Sequence, residues 1–226
     1  MTGAAPRRPS VDSVGILLPA SWWTIDLRDT TTRTRSIAAL VEQQVGRADI
    51  QASLRAELRA ELGRAAEQAA AAGGRLMAVS LMQADGFPLS ATLTAYRVPG
   101  TDLTGAGLAQ LEEVLRTDEG VASHGSPADG SGEQTGTVEL AEGPGGPVLR
   151  RVRHKQGSAD LGAERLRMLV VDYWLDPEDR QGLLLLTFST PLVDAQDGWL
   201  ELFDVIVAST GTGQGDAETV EAPADA

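Results

Sequence analysis

The chain of 226 residues contains no cysteine, and it has no hydrophobic run long enough to cross a membrane. The absence of cysteine excludes a disulfide framework, a thiolate nucleophile and a cysteine-ligated metal, and it suits a reducing compartment. The apolar run near the start, residues 14–18, is far shorter than a signal-peptide core or a transmembrane helix. We therefore expect a cytoplasmic protein without membrane insertion.

Basic residues are few. The chain has 19 Lys and Arg residues against 32 Asp and Glu residues, so its formal net charge is −13. A protein with this net charge repels nucleic-acid phosphates and anionic lipid surfaces at long range. We therefore expect an acidic protein that has no nucleic-acid partner.

Histidine is almost absent, which limits the possible acid–base chemistry. Of the two histidines, His124 lies in a Gly/Ser-rich loop and His154 ends a strand pattern beside Arg153 and Lys155, so neither is held near a nucleophile and a carboxylate. The acidic turn at residues 176–179 lacks the spacing of a calcium loop, and the glycine-rich residues 143–147 lack the lysine and helix of a P-loop. We expect no enzyme activity, no metal and no cofactor.

Polar, low-complexity segments lie at both ends and at one place inside the chain. Residues 1–12 and 211–226 show no apolar periodicity, and neither segment can bury enough surface to offset its ordering entropy. Residues 119–135 are rich in Gly, Ser and Asp and lie between two periodic segments. The sequence predicts one domain over residues 13–210, with a flexible loop at about 119–135, a disordered N-terminus and a disordered acidic tail.

Hairpins dominate the predicted elements of the middle region. Two short strands precede two helices, and then come a hairpin, a helix, two further hairpins and a closing helix. The predicted turns are centred on residues 85–88, 143–146 and 176–181. The least alternating strand pattern, residues 183–186, is expected near the sheet centre.

Because hairpins join adjacent antiparallel strands, this order favours an α+β fold over a doubly wound parallel sheet. We predict a mainly antiparallel sheet with helices on its faces, an α/β/α sandwich in a single domain.

Both ends of this domain carry short motifs of a known kind. The N-terminal segment Ile16-Leu17-Leu18-Pro19-Ala20-Ser21-Trp22 is similar to the apolar strand, proline and tryptophan that open the domains of the Mog1/PsbP-like superfamily. Residues 184–191 and 203–209 are similar to their last strand and terminal helix. The resemblance implies an antiparallel sheet between helices, a fold that this superfamily uses mainly in binding proteins and assembly factors.

A basic segment stands out against the acidic background. It comprises Arg150, Arg151, Arg153, His154 and Lys155. A strand with these residues is a candidate docking site for an anionic ligand or an acidic surface, because guanidinium groups match carboxylates and phosphates. The other interpretation is a solvated strand whose charges prevent aggregation.

Two adjacent tryptophans are the second candidate. Trp22 and Trp23 point to opposite faces of a strand. Two interpretations stay open: both lie under flanking helices, or one is exposed and anchors an interface.

Two functional hypotheses follow from these features. The first is a non-enzymatic cytoplasmic protein-binding or assembly protein, with an accessory role beside a secretion system as one context and a homodimer left open. The second is a small-molecule-binding or sensor domain with a pocket between sheet and helices, in which the basic segment forms the polar end.

Overall fold

The computed structural model describes residues 6–46, 49–84, 87–98, 106–122, 134–156, 166–179 and 181–211. Within these ranges the strands, in chain order, are β1 (Ser10–Val11), β2 (Val14–Gly15), β3 (Trp22–Asp26), β4 (Gly74–Ser80), β5 (Met82–Ala84), β6 (Phe87–Leu89), β7 (Thr92–Val98), β8 (Gln134–Gly143), β9 (Gly146–Gln156), β10 (Arg167–Leu175) and β11 (Leu183–Thr190). The helices are α1 (Thr30–Val45), α2 (Ala52–Ala71), α3 (Ala106–Ala122) and α4 (Gln196–Ala208), with short 3-10 turns at Asp49–Gln51 and Val193–Ala195.

Seven strands form the main sheet, in the order β3-β4-β7-β11-β10-β9-β8, and every neighbouring pair is antiparallel. The small β5–β6 ladder extends the β4–β7 hairpin, around the turn that the sequence predicts. The strand β11 is fourth of seven, so the predicted central position of residues 183–186 is confirmed. The α+β fold with a mainly antiparallel sheet between helices is also confirmed.

Local chemistry explains where α1 begins and where α2 ends. The Asp29 carboxylate accepts a hydrogen bond from the Thr32 N–H at 2.6 Å and caps α1. At the end of α2, Gly73 has a φ of +87°, which favours glycine. A side chain at Gly74 would place its Cβ 2.7 Å from the Ala69 carbonyl oxygen. The predicted stop of this helix at the glycine pair therefore has a steric cause.

Apolar side chains of the sheet are buried on both of its faces. On one side, which we call the α4 face, Phe188 of β11 stacks on Phe203 of α4 with ring centroids 4.3 Å apart. On the other side, the opposite face, α1 and α2 cover Ile25 and Met77. There, α3 packs over the far end of the sheet, where Trp174 is buried. This arrangement is the predicted three-layer sandwich.

Residues 7–11, expected to be disordered, instead form part of the fold. The Arg7 N–H donates to the Leu18 carbonyl at 3.1 Å, the Leu18 N–H donates back at 2.9 Å, and Val11 is fully buried. Asp12 makes the turn with a φ of +55°. The polar composition of this segment did not indicate the hairpin. The hairpin is held by one buried side chain, Val11, and by backbone hydrogen bonds, and composition reports neither.

The other predicted boundaries differ less from the structure. The helix α3 continues to Ala122, and β8 already begins at Gln134. Both elements include residues that were predicted to be part of the flexible loop, and residues 123–133 lie outside the described residues. At the C-terminal end, Gly211 still pairs with Gly15, whereas the rest of the predicted tail lies outside the described residues.

Candidate functional site

The basic segment predicted from the sequence lies on β9, where strand alternation divides it between the two faces. The side chain of Arg150 points to the α4 face and contacts Asp204 of α4. The side chains of Arg151 and Arg153 point to the opposite face and contact Asp172 of β10. The five residues therefore do not form one continuous docking surface.

Asp172 holds the two arginines of the opposite face inside the protein. Asp172 is 2% exposed, and its carboxylate accepts hydrogen bonds from Arg151 at 3.0 Å and from Arg153 at 2.8 Å. The Thr187 hydroxyl donates to its second oxygen at 2.8 Å, and the Arg151 guanidinium lies 5.5 Å from the centre of the Trp174 ring. These contacts make both arginines part of a buried ion-pair network that holds β9, β10 and β11 together.

The last two residues of the basic segment also lie apart from each other. Lys155 is opposite Met168 in the ladder, and its side chain follows that of Arg153 onto the opposite face. His154 points to the α4 face near the sheet edge, and its Nε2 is buried with no hydrogen-bond partner among the described residues. The fold brings neither residue to the Arg150 site.

Both candidate tryptophans are engaged in packing. Trp22 is 1% exposed and meets Phe188 edge-on in the core of the α4 face. Trp23 is half-buried under α1 and donates its indole N–H to the Ser36 hydroxyl at 3.0 Å. Of the two interpretations left open, the structure favours packing. Trp22 cannot anchor an interface because its ring is inaccessible.

Arg150 stands at the centre of a second polar group, on the α4 face. It donates to Asp204 at 2.9 Å and to Glu139 of the neighbouring strand β8 at 2.8 Å. The Tyr173 hydroxyl donates to the same Asp204 carboxylate at 2.7 Å. Asp204 thus receives a guanidinium and a phenol together, while about half of its own side chain remains exposed.

The environment fixes the protonation of both donors. Burial and the hydrogen bond to Asp204 raise the pKa of Tyr173 far above its ordinary value. Burial lowers the pKa of Arg150, but the charge of Asp204 and the hydrogen bond to Glu139 outweigh this effect, so the pKa is raised. At neutral pH the phenol therefore keeps its proton and the guanidinium keeps its charge.

This polar group lies in the wall of a cavity of about 480 Å³ between the β8–β9 hairpin, β10 and the end of α4. We call it the α4 cavity. Its apolar lining includes Val14, Val148, Leu175, Leu184, Val207 and Ala208. Its charged lining comprises Glu139, Glu142, Arg150, Asp176, Glu178 and Asp204.

The charges around the α4 cavity are strongly unbalanced. Five acidic residues line it against one arginine among the described residues, and that arginine already contacts two of the acidic side chains. The site therefore combines an apolar wall with a negative potential. Such a lining suits a ligand that has an apolar body and a positive charge.

Sequence reasoning identified Arg150 in this site and missed its partners. The Glu139–Arg150 pair was available, because the hairpin that Gly143 and Gly146 close places these two residues opposite each other. The sequence indicated Asp204 less clearly. It is an acidic residue next to Phe203, which lies on the apolar stripe of the last helix. Its contact with Tyr173 depends on how α4 sits on the sheet, which no local pattern specifies.

Two further features of the described residues concern membrane-spanning helices and metal ligands. None of the described helices is long and apolar enough to span a bilayer. Within the same ranges, no group of three or more His, Asp or Glu side chains is arranged to hold a metal ion.

Comparison with solved structures finds similarity in fold. The chain is similar to the solution structure of cyanobacterial PsbP (CyanoP) from Synechocystis sp. PCC 6803, at 14% sequence identity over 92% of each chain and with a TM-score of 0.41. No protein-family model matches the sequence, and no curated protein sequence matches it significantly.

Proposed function

We propose that this chain is a non-enzymatic cytoplasmic binding or accessory protein that holds a partner protein at the α4 cavity. The observation that carries the proposal is the cavity lining, in which an apolar wall meets an acidic rim. Glu139 and Asp204 on this rim are both partly exposed, so a partner can reach them from solvent. Protein interfaces commonly combine an apolar centre with a polar surround in this way.

The state of the polar groups supports binding over catalysis. A general acid or base works best when its pKa lies near the working pH. The pKa values of Tyr173 and Arg150 are both raised from already high ordinary values, so neither group exchanges a proton readily at neutral pH. In our proposal they shape the site and orient the Asp204 carboxylate.

Membership of the Mog1/PsbP-like superfamily is part of the same proposal. Two of the three segments that carry the resemblance lie in regular elements: residues 184–190 lie in β11 and residues 203–208 lie in α4. A role beside a secretion system is one context for an accessory protein of this kind.

A second candidate function, a small-molecule-binding domain, uses the same cavity. Its volume of about 480 Å³ falls within the range of roughly 300–1,000 Å³ that is usual for ligand pockets. Arg150 lies at its polar end, which is what the small-molecule hypothesis expects of the basic segment. Because the carboxylates outnumber Arg150, we expect such a ligand to be a cation.

Blocking the α4 cavity tests the proposal. The Ala208→Trp variant places a large ring at an exposed position of the cavity wall, and Val205→Trp places the same ring on the same helix outside the lining. A partner captured with the wild-type protein is identified, purified and titrated against the three proteins by calorimetry. We expect Ala208→Trp to weaken binding by about tenfold or more, which corresponds to about 1.4 kcal/mol or more, and Val205→Trp to leave it unchanged.

The same experiment separates the two candidate functions. If purified partners bind both variants equally, the α4 cavity is not the partner site. If no purified protein binds, and a cationic metabolite instead raises the melting temperature of the wild type but not of Ala208→Trp, the small-molecule function replaces the first.

A further inference from the structure

We propose that the α4 cavity, together with the outer edge of β8, binds an extended segment of the partner whose side chains on the α4 face include both basic and apolar residues. The inference rests on the proposed function, because it names the part of the partner that would enter the site. It adds a second binding element, the backbone of β8, to the side chains of the cavity.

The strand β8 has an outer edge that can accept another strand. It is the last strand of the sheet, and in the described part of the chain no strand pairs with its outer side. Gly143 and Gly146 close the β8–β9 hairpin, and hydrogen-bonded and non-hydrogen-bonded pairs alternate from there. Leu140 consequently directs its N–H and C=O away from β9. An edge of this kind is a template for an added strand.

The same stretch of β8 borders the cavity. Glu139, Ala141 and Glu142 all belong to its lining. In a strand paired with this edge, every second side chain points to the α4 face. Such side chains would reach the carboxylate of Glu139, which points to the α4 face, and the apolar wall near Val148. This geometry requires a segment in which basic and apolar residues stand two positions apart, so that a basic residue meets Glu139 and an apolar residue enters the cavity.

Charge favours this occupant over two others, a second copy of the chain and the chain's own residues 212–226. A second copy pairing through β8 would bring two acidic rims together in a protein of net charge −13, which like-charge repulsion disfavours. The chain's own residues 212–226 carry four carboxylates and no basic residue, so they lack the complementary charge. A basic segment of another protein has it.

A peptide selection tests the inference directly. Phage-displayed random dodecapeptides are selected on the full-length chain, and the enriched peptides are synthesised and titrated by fluorescence polarisation against four proteins. These are the wild type, Leu140→Pro, Glu139→Lys and the control Glu201→Lys. Leu140→Pro removes the outward N–H and leaves the bonds to β9 in place. Glu201→Lys makes the same charge change as Glu139→Lys, at an exposed position of α4 outside the cavity.

The inference predicts enriched peptides with a net positive charge in which basic and apolar residues recur two positions apart. Leu140→Pro and Glu139→Lys should each weaken their binding by about tenfold, and Glu201→Lys should change it less than twofold. Circular dichroism melting of each variant confirms that the fold is kept. If Leu140→Pro fails to fold, Glu139→Lys against Glu201→Lys decides the question alone.

Three results would overturn the inference: no enriched peptide, enriched peptides that are neutral or acidic, or binding that Glu139→Lys leaves unchanged. The proposed function can survive each of them. If a purified partner binds the wild type and fails to bind Ala208→Trp while no dodecapeptide binds, the α4 cavity recognises a folded surface rather than an extended segment.

Discussion

At Asp172, which is 2% exposed, two guanidinium groups and one hydroxyl converge on one carboxylate. Arg151 and Arg153 supply the charges and Thr187 supplies the hydroxyl. The contribution of such a buried network to stability depends on every member, because removing one ion leaves the others desolvated without a counter-charge. Substituting the arginines by glutamate would therefore disturb the core of the sheet, so a loss of binding in such variants would not report on docking.

Replacing this carboxylate tests the structural role of the basic segment. In Asp172→Ala, the two guanidiniums stay largely buried without their counter-ion, and we expect the free energy of unfolding to fall by about 3–5 kcal/mol. Urea denaturation measures the change. Glu201→Ala, at an exposed position on α4, should stay within about 0.5 kcal/mol of the wild type. A loss below about 1 kcal/mol at Asp172 would mean that the two arginines are satisfied elsewhere.

At the scale of elements, the N-terminal hairpin β1–β2 is attached to the sheet by a small polar cluster. Asp179, in the turn between β10 and β11, accepts hydrogen bonds from Arg97 of β7 and from Ser13 in the hairpin turn. The Arg97 Nε also lies 3.5 Å from the Asp12 carboxylate. This cluster explains why the acidic turn, a weak metal candidate by sequence, has a structural role.

The stability of this cluster should depend on pH. Burial raises the pKa of Asp179, but hydrogen bonds from Ser13, the Gln181 N–H and Arg97 outweigh this and hold the pKa below its ordinary value of 3.8. The folded state then binds fewer protons than the unfolded state, so the contribution is complete above the ordinary pKa and is lost as the pH falls through the lowered one.

We expect Asp179→Asn to lose less stability than the wild type on acidification. Urea denaturation between about pH 5 and pH 3 measures this slope. The neighbouring Glu178→Gln, which makes the same charge change at an exposed position, should keep the wild-type slope. Parallel curves for the wild type and Asp179→Asn would show that this carboxylate does not link the hairpin to the sheet.

The elements also show what the sequence could predict. Patterns with a local cause were predicted correctly: the helix end at Gly73 and Gly74, the hairpin at residues 143–146, and the central strand β11. Contacts between distant segments were not. The pairing of Arg7 with Leu18 lies in a polar, proline-containing stretch, and the Tyr173–Asp204 bond spans 31 residues. Such contacts depend on how whole elements pack, which side-chain periodicity does not encode.

At the scale of the whole molecule, the basic segment and the acidic surroundings take on different roles. Arg151 and Arg153 form ion pairs inside the protein with Asp172. Arg150 is the member of the basic segment that reaches the α4 cavity, where acidic residues outnumber it. The binding surface that this arrangement favours is therefore acidic. A positively charged partner is attracted by both the local rim and the net charge of −13.

Amide hydrogen exchange on the purified complex with the captured partner measures this central claim most directly. The account predicts that binding slows exchange in β8 over residues 138–142 and at the end of α4 over residues 204–208, and that α1 and α2 exchange as in the free protein. Protection confined to α1 and α2, with residues 138–142 and 204–208 unchanged, would contradict it.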